Sequence, residues 1–131
     1  MSKGELPSSP YGDFLGIEIA EVAAGKSVCH LQLKDHHMNT GGRVHGGVLT
    51  SLADTAAGVA VRSVRPEGKL SATTDLSIGF IRPPIGNLLT AHAAVIHAGK
   101  RLFRTEIAIE CEGKLIAKTS ATFMIVAPRE N

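Results

Sequence analysis

Between Ile17 and Lys34 the chain alternates apolar and polar residues in two short stretches, Ile17 to Val22 and Ser27 to Lys34, on either side of Ala24-Gly25-Lys26. A period of two broken by a glycine turn predicts a β-hairpin. The next stretch, NTGGRVHGGVLTSLADTAAGVAV from Asn39 to Val61, has a different rhythm. After Gly46-Gly47 its apolar residues recur at helical spacing, which predicts one long helix. SATTDLSIGFIRPP then alternates until Pro83-Pro84 stops it. Three more alternating stretches follow, Leu88 to His97, Leu102 to Cys111 and Leu115 to Val126, separated by Ala98-Gly99-Lys100 and Glu112-Gly113-Lys114 turns. No second helix is long enough to supply the crossovers of a parallel sheet. The expected class is therefore α+β, with one long central helix packed on a mostly antiparallel sheet of about six strands. Residues 1–16, rich in Ser, Pro and Gly, are expected to form an N-terminal arm with at most a short helix around Tyr11 to Leu15, and residues 17–131 a single domain.

At about 100° per residue, Val48, Leu49, Leu52, Ala53, Ala56, Val59 and Ala60 share one broad face of the helix, which packs on the sheet. The other side gathers Gly47, Thr50, Ser51, Asp54, Ala57, Gly58 and Val61, with Thr55 and Arg62 on a flank. Small residues there suit the approach of another helix better than open water. One helix on one antiparallel sheet leaves that face and a sheet edge uncovered, and a second copy about a two-fold axis is the simplest cover. A homodimer at minimum is expected.

Composition narrows the function classes. A chain of 131 residues has room for one core, and 44% hydrophobic with 20% charged residues is ordinary for a globular domain. The net charge of +2 is scattered, without the basic stripe that nucleic-acid binding needs. No run resembles a signal peptide or a membrane span, so a cytoplasmic location without membrane attachment is expected. Cys29 and Cys111 are far apart in sequence and are read as buried free thiols rather than a disulfide framework or zinc site. Asp35, His36 and His37 adjoin one another, but neighbouring side chains on a strand point oppositely, which argues against a metal there.

Asp54 is the one carboxylate in the helical run. Shielding in a dimer would raise its pKa toward that of a general base, while hydrogen bonds from Thr50 or Ser51 would pull the other way. An exposed helix carboxylate is the plainer alternative. Gly46 and Gly47 open the helix, where unpaired backbone N–H groups and the helix dipole favour negative charge. Two glycines let a ligand approach that backbone, making a candidate oxyanion hole. Gly47 and Asp54 share a face but lie about 10 Å apart along the axis. If two such helices run antiparallel, Asp54 of one subunit faces the glycines of the other, and a dimer has two sites.

At these residues the chain resembles the hotdog-fold acyl-CoA thioesterases, in particular the phenylacetic-acid-degradation (PaaI-like) group. The resemblance runs from FLGIEI through NTGGRVHGGVLTSLADTA and TTDLSIGFIRP to GKLIAKTSATF, and its most specific part is the N-x5-HGG-x6-D arrangement. It implies a hotdog fold and hydrolysis of an acyl-CoA thioester. It also implies that the N–H of Gly46 or Gly47 polarises the carbonyl and that Asp54 of the facing subunit activates water or attacks directly. Asn39 would contact the thioester or the water, His45 would brace the helix start, and Thr73 would orient the nucleophile. By the residues alone Asn39 is most often a turn residue, His45 more often a structural histidine than a base, and Thr73 a strand residue of a kind common for packing reasons. Homotetramers are the usual assembly of such proteins, and no cofactor or metal is implied beyond coenzyme A as part of the substrate.

Aromatic residues are only 4% of the chain, so few candidates beyond Phe14, Phe80 and Phe103 offer a ring for stacking an aryl acyl group. Arg82, Lys100, Arg101 and Arg104 lie at strand ends or turns where phosphates could meet them, or where they are simply solvated rim charges. Two alternatives to hydrolysis are a non-catalytic acyl-CoA sensor and a hotdog hydratase or dehydratase. An intact Asp54 argues against the first, and the absence of an HFPG-like signature against the second; no GxSxG is present either.

Overall fold

The structure is a computed structural model describing residues 8–129. Along the chain it runs α1 (Pro10–Leu15), β1 (Ile17–Ala23), β2 (Lys26–Gln32), a 3-10 turn (Asp35–His37) and α2 (Gly46–Arg62). Then come β3 (Leu70–Phe80), β4 (Leu88–Ala98), β5 (Leu102–Cys111) and β6 (Lys114–Val126). The strands form one sheet in the order β1-β2-β4-β5-β6-β3, antiparallel at every pairing. The expected α+β hotdog architecture is present, with the sheet wrapped around α2. Glu112 and Gly113, the two residues between Cys111 and Lys114, both adopt left-handed backbone, with φ of 50° and 76°, as a two-residue type I′ hairpin turn requires.

The core lies between the sheet and α2. Leu52, Ala53, Ala56 and Ala60 of the helix are fully buried against Leu31, Leu89, Ile107 and Ile109 of the strands. Ala57 and Val61 are also fully buried, whereas the helical wheel puts them on the outer side. The difference is a property of the sheet: it curls far enough that β3 and β6 cover a second flank of α2, with Phe123 of β6 3.8 Å from where a Gly58 Cβ would stand.

Buried polar groups tie the layers together. The Ser27 hydroxyl on β2 donates to the Ala56 carbonyl of α2 at 2.6 Å. Past the other end of the helix, the Ser63 hydroxyl accepts from Gly25 N–H at 2.9 Å and donates to the Ala60 carbonyl at 2.7 Å, fixing the β1–β2 turn to α2. His36 and His37 lie in the 3-10 turn rather than on a strand, so alternation does not govern them. His37 is fully buried, and both its nitrogens are engaged. Nδ1 accepts from Lys34 N–H at 2.9 Å, which leaves Nε2 to donate to the Leu15 carbonyl at 2.7 Å. The short helix α1 is capped by Ser9 and ends at Gly16 in left-handed backbone. It reaches α2 through a 2.9 Å hydrogen bond between Tyr11 OH and the Ser51 hydroxyl.

The sheet edges are β1 and β3. None of the residues of β3 is buried, so this long edge presents one side of its backbone without a ladder partner. Its pairing with β6 is broken by a bulge between Thr73 and Asp75, where Thr74 is the extra residue and donates to the Thr122 carbonyl at 3.2 Å.

Cys29 and Cys111 are both buried free thiols. Burial pushes the Cys29 thiol up from an ordinary 9.0 to about 11, against a smaller opposing effect of its hydrogen bond with Ser27. The folded chain thus holds this proton more tightly than the unfolded one. Its contribution to stability is complete below pH 9.0 and is lost as pH rises from there through about 11. Urea unfolding across that window should show a smaller loss of stability in Cys29→Ala than in the parent; equal slopes would contradict the assignment.

Candidate active site

Two clusters on α2 carry the candidate chemistry. The first is at the helix start. The Asn39 side-chain oxygen accepts from Gly41 N–H at 2.9 Å and Arg43 N–H at 3.1 Å, closing the loop that leads into the helix. Its amide NH2 donates to no group among the described residues. His45 is the N-cap, and its Nδ1 accepts from Gly47 N–H at 2.8 Å, which fixes the neutral ring with its proton on Nε2. Val48 N–H donates to the His45 carbonyl at 3.0 Å. Of the first three helical N–H groups, Gly46 N–H alone has no acceptor among the described residues. The Thr50 hydroxyl donates back to the Gly46 carbonyl at 2.9 Å.

The glycines also have close protein neighbours. A Cβ on Gly46 would stand 3.1 Å from the Phe80 ring, and one on Gly47 would stand 2.9 Å from His45 Nδ1. Glycine at these positions therefore lets the β3 end pack on the helix start and lets the histidine cap it. Next to them a groove of about 390 Å³ is lined by Asn39, Arg43, Gly46, Leu49, Phe80 and Arg82, among others.

The second cluster lies in mid-helix. Asp54 is half-buried, and its Oδ1 accepts from the Thr73 hydroxyl at 2.7 Å. The expected donors Thr50 and Ser51 do not serve it: Thr50 turns to its own helix and Ser51 to Tyr11. The bulge after Thr73 explains the substitution, since it bends the edge strand at the residue that meets the carboxylate.

Within one chain the structure brings Asn39 and Gly46 to one groove, His45 to Gly47, and Thr73 to Asp54. It does not bring Asp54 to Gly46, which lies eight residues and about 12 Å back along the helix axis. Of the basic candidates, Arg82 lines the groove; Lys100 and Arg101 sit at the β4–β5 turn, and Arg104 is exposed on β5. Phe103 is buried in the core, whereas Phe14 and Phe80 are exposed. Sequence reasoning missed Arg43 in the groove and Tyr11 over α2. Neither carries a spacing signal, because both are placed by loop and arm contacts.

Comparison with known proteins identifies the class. A model of the thioesterase superfamily matches residues 41–118, more than half of the chain, and the chain belongs to that superfamily. It is thereby a thioester hydrolase by family. The 1,4-dihydroxy-2-naphthoyl-CoA hydrolase of Listeria monocytogenes is 31% identical over 118 residues, 88% of this chain and 95% of that one. A relative from Halobacterium salinarum is 35% identical over 101 residues, 73% of this chain and 66% of that protein's length. Among solved structures, PaaI of the Escherichia coli phenylacetic acid degradation operon superposes with a TM-score of 0.84 at 30% identity, covering 91% of this chain and 86% of that one.

Replacing His45 by alanine should remove the cap of α2 and lower stability by about 1 kcal/mol. His45→Asn, whose side-chain oxygen can take the same N–H, should recover most of it. Denaturant midpoints of the three proteins give the test, and an unchanged midpoint in His45→Ala would contradict the capping role.

Proposed function

We propose that the protein hydrolyses acyl-CoA thioesters at sites shared between two subunits, Asp54 of one facing Asn39 and Gly46 of the other. The observation that carries this reading is the state of two groups. Among the described residues Gly46 N–H has no acceptor, and the Asp54 carboxylate is held by a single hydrogen bond to one oxygen.

In this mechanism the thioester carbonyl oxygen accepts from Gly46 N–H, at the positive end of the α2 dipole, and from the Asn39 amide. Gly47 N–H takes no part, being bonded to His45. Thr73 fixes the Asp54 rotamer through Oδ1 and leaves Oδ2 for a water molecule. The carboxylate accepts the water's proton as its oxygen attacks the carbonyl carbon. The resulting oxyanion is stabilised by the two N–H donors. It collapses with cleavage of the C–S bond, and the CoA sulfur leaves with the proton held by Asp54. Direct attack by Oδ2, giving a mixed anhydride that water then hydrolyses, uses the same geometry.

The 12 Å separation on one helix is what calls for a second subunit. Antiparallel pairing of the β3 edge with its own copy would cover the unpaired backbone and set the two α2 helices in opposite directions, Asp54 toward the partner's helix start. Two such dimers would form a homotetramer. A cytoplasmic site of action fits the two unpaired, buried thiols. The coenzyme A class of substrate is supported by the Listeria relative, which is named for a CoA thioester.

Asp54→Ala should lower thiol release from acyl-CoA by about a hundredfold or more at matched oligomeric state, the scale of a lost general base. Equal turnover in both proteins would remove Asp54 from the mechanism. Sharing between subunits has its own test. Asn39→Asp keeps the oxygen that closes the loop and loses the amide donor, so it should be inactive while folded. Subunit exchange between Asn39→Asp and Asp54→Ala proteins should then restore up to about a quarter of parental turnover, since half the dimers are mixed and each mixed dimer has one intact site. No recovery after demonstrated exchange would place both groups in one subunit.

A further inference from the structure

A second cavity, of about 200 Å³, opens one helical turn beyond Asp54, where Thr55 and Gly58 line it. Ile19, Val59 and Phe123 give it an apolar lining, to which Arg65 and Ser71 add polar groups. Arg65 follows the end of α2 and donates from Nη1 to the Ser71 hydroxyl at 3.0 Å. Burial lowers the pKa of its guanidinium, and the positive charge of Arg62 beside it adds to the effect. No carboxylate lines this cavity among the described residues. A half-buried guanidinium that lines such a space and donates to Ser71 through Nη1 is suited to a planar anion, which it can hold bidentately.

The spacing connects this group to the chemistry. Ser71 lies two residues before Thr73 on β3, hence on the same face and about 7 Å away. Gly58 lies four residues after Asp54 on the same side of α2, about 6 Å along the axis. A cavity of about 200 Å³ is some seven times the roughly 30 Å³ that one water molecule occupies in the liquid. It therefore has room for about seven non-hydrogen atoms, a short chain rather than a long one.

We propose that this cavity receives the acyl group and that Arg65, oriented by Ser71, binds a free carboxylate at its far end, so that the preferred substrates are CoA monothioesters of short dicarboxylic acids. This rests on the reading of Asp54 as the acting carboxylate. An extended adipyl group matches the span between Thr73 and Ser71, and hexanoyl is its neutral counterpart of equal length. The two CoA esters differ only at the sixth carbon of the acyl group, a carboxylate in one and a methyl in the other. The ratio of their affinities therefore isolates the distal carboxylate.

The test measures binding of adipyl-CoA and hexanoyl-CoA by calorimetry in the full-length Asp54→Ala protein, where turnover does not intervene. Adipyl-CoA should bind at least about tenfold more tightly, the scale of a charge-assisted hydrogen bond. Adding Arg65→Met should bring the ratio to about one; adding Ser71→Ala should reduce it, and Arg65→Lys should retain part of it. A ratio near one before Arg65 is changed, or a ratio that survives Arg65→Met, would overturn the proposal. Hydrolysis of both esters by the Asp54-containing enzyme is scored separately. Selective binding without any hydrolysis would sustain the cavity's assignment and defeat the hydrolase mechanism instead.

Discussion

The closeness of the sheet to α2 is set by alanine. Ala53, Ala56, Ala57 and Ala60 are fully buried and offer only methyl groups, so the backbone of the helix can lie near the strands while Leu31, Leu89, Ile107 and Ile109 fill the space around it. At that distance a serine is long enough to tie the layers, as the Ser27 hydroxyl does at the Ala56 carbonyl. Larger residues in the stripe would hold the sheet off, and an overpacked core of this kind typically costs about 1–3 kcal/mol. A narrow helix also lets the sheet curl around a second flank. That curl carries β3 to Asp54.

The polar site follows from this packing. Thr73 reaches the carboxylate because β3 is brought beside α2 and bulges there; Phe80, at the other end of the same strand, lies on Gly46. One edge strand thus touches both ends of the candidate chemistry. The two glycines serve the protein first, making room for the Phe80 ring and for the His45 cap. Once His45 has taken Gly47 N–H, Gly46 N–H is the one donor of the two glycines left without an acceptor among the described residues. The cap therefore decides which of two adjacent glycines keeps its N–H unengaged, without changing either one.

Much of this was legible in the sequence because it is local. Alternation and turn glycines mark the strands to within a few residues, and the spacing of Asn39, His45, Gly46 and Asp54 marks both clusters on α2. What was not legible is collective. The burial of Ala57 and Val61 depends on the curvature of the whole sheet, which no helical wheel contains. Helical spacing alone points to Thr50 or Ser51 as the donor to Asp54; the bond comes from Thr73, nineteen residues on and on a different element, which only the family resemblance singles out. Strand alternation carried on past Lys34 would set the His36 and His37 side chains on opposite faces. A 3-10 turn buries the second of them between Lys34 and Leu15. Arg65 and Ser71 carry no pattern at all, since only the path of the chain from α2 into β3 brings them together.

A helix has one electropositive end, and its field fades within the first turn. A carboxylate placed in that turn would be stabilised as an anion by the same donors that the substrate oxygen needs, and the two would compete for them. Setting Asp54 about 12 Å along the axis avoids this conflict. Under the proposed mechanism the separation reserves the Gly46 donor for the carbonyl, and it leaves the carboxylate beside a strand hydroxyl rather than the helix end. The cost is that neither cluster is sufficient alone, which under the proposed mechanism makes assembly a condition of catalysis rather than an addition to it. A two-fold axis removes the difficulty for both subunits at once: bringing one Asp54 to a partner's helix start brings the other by symmetry.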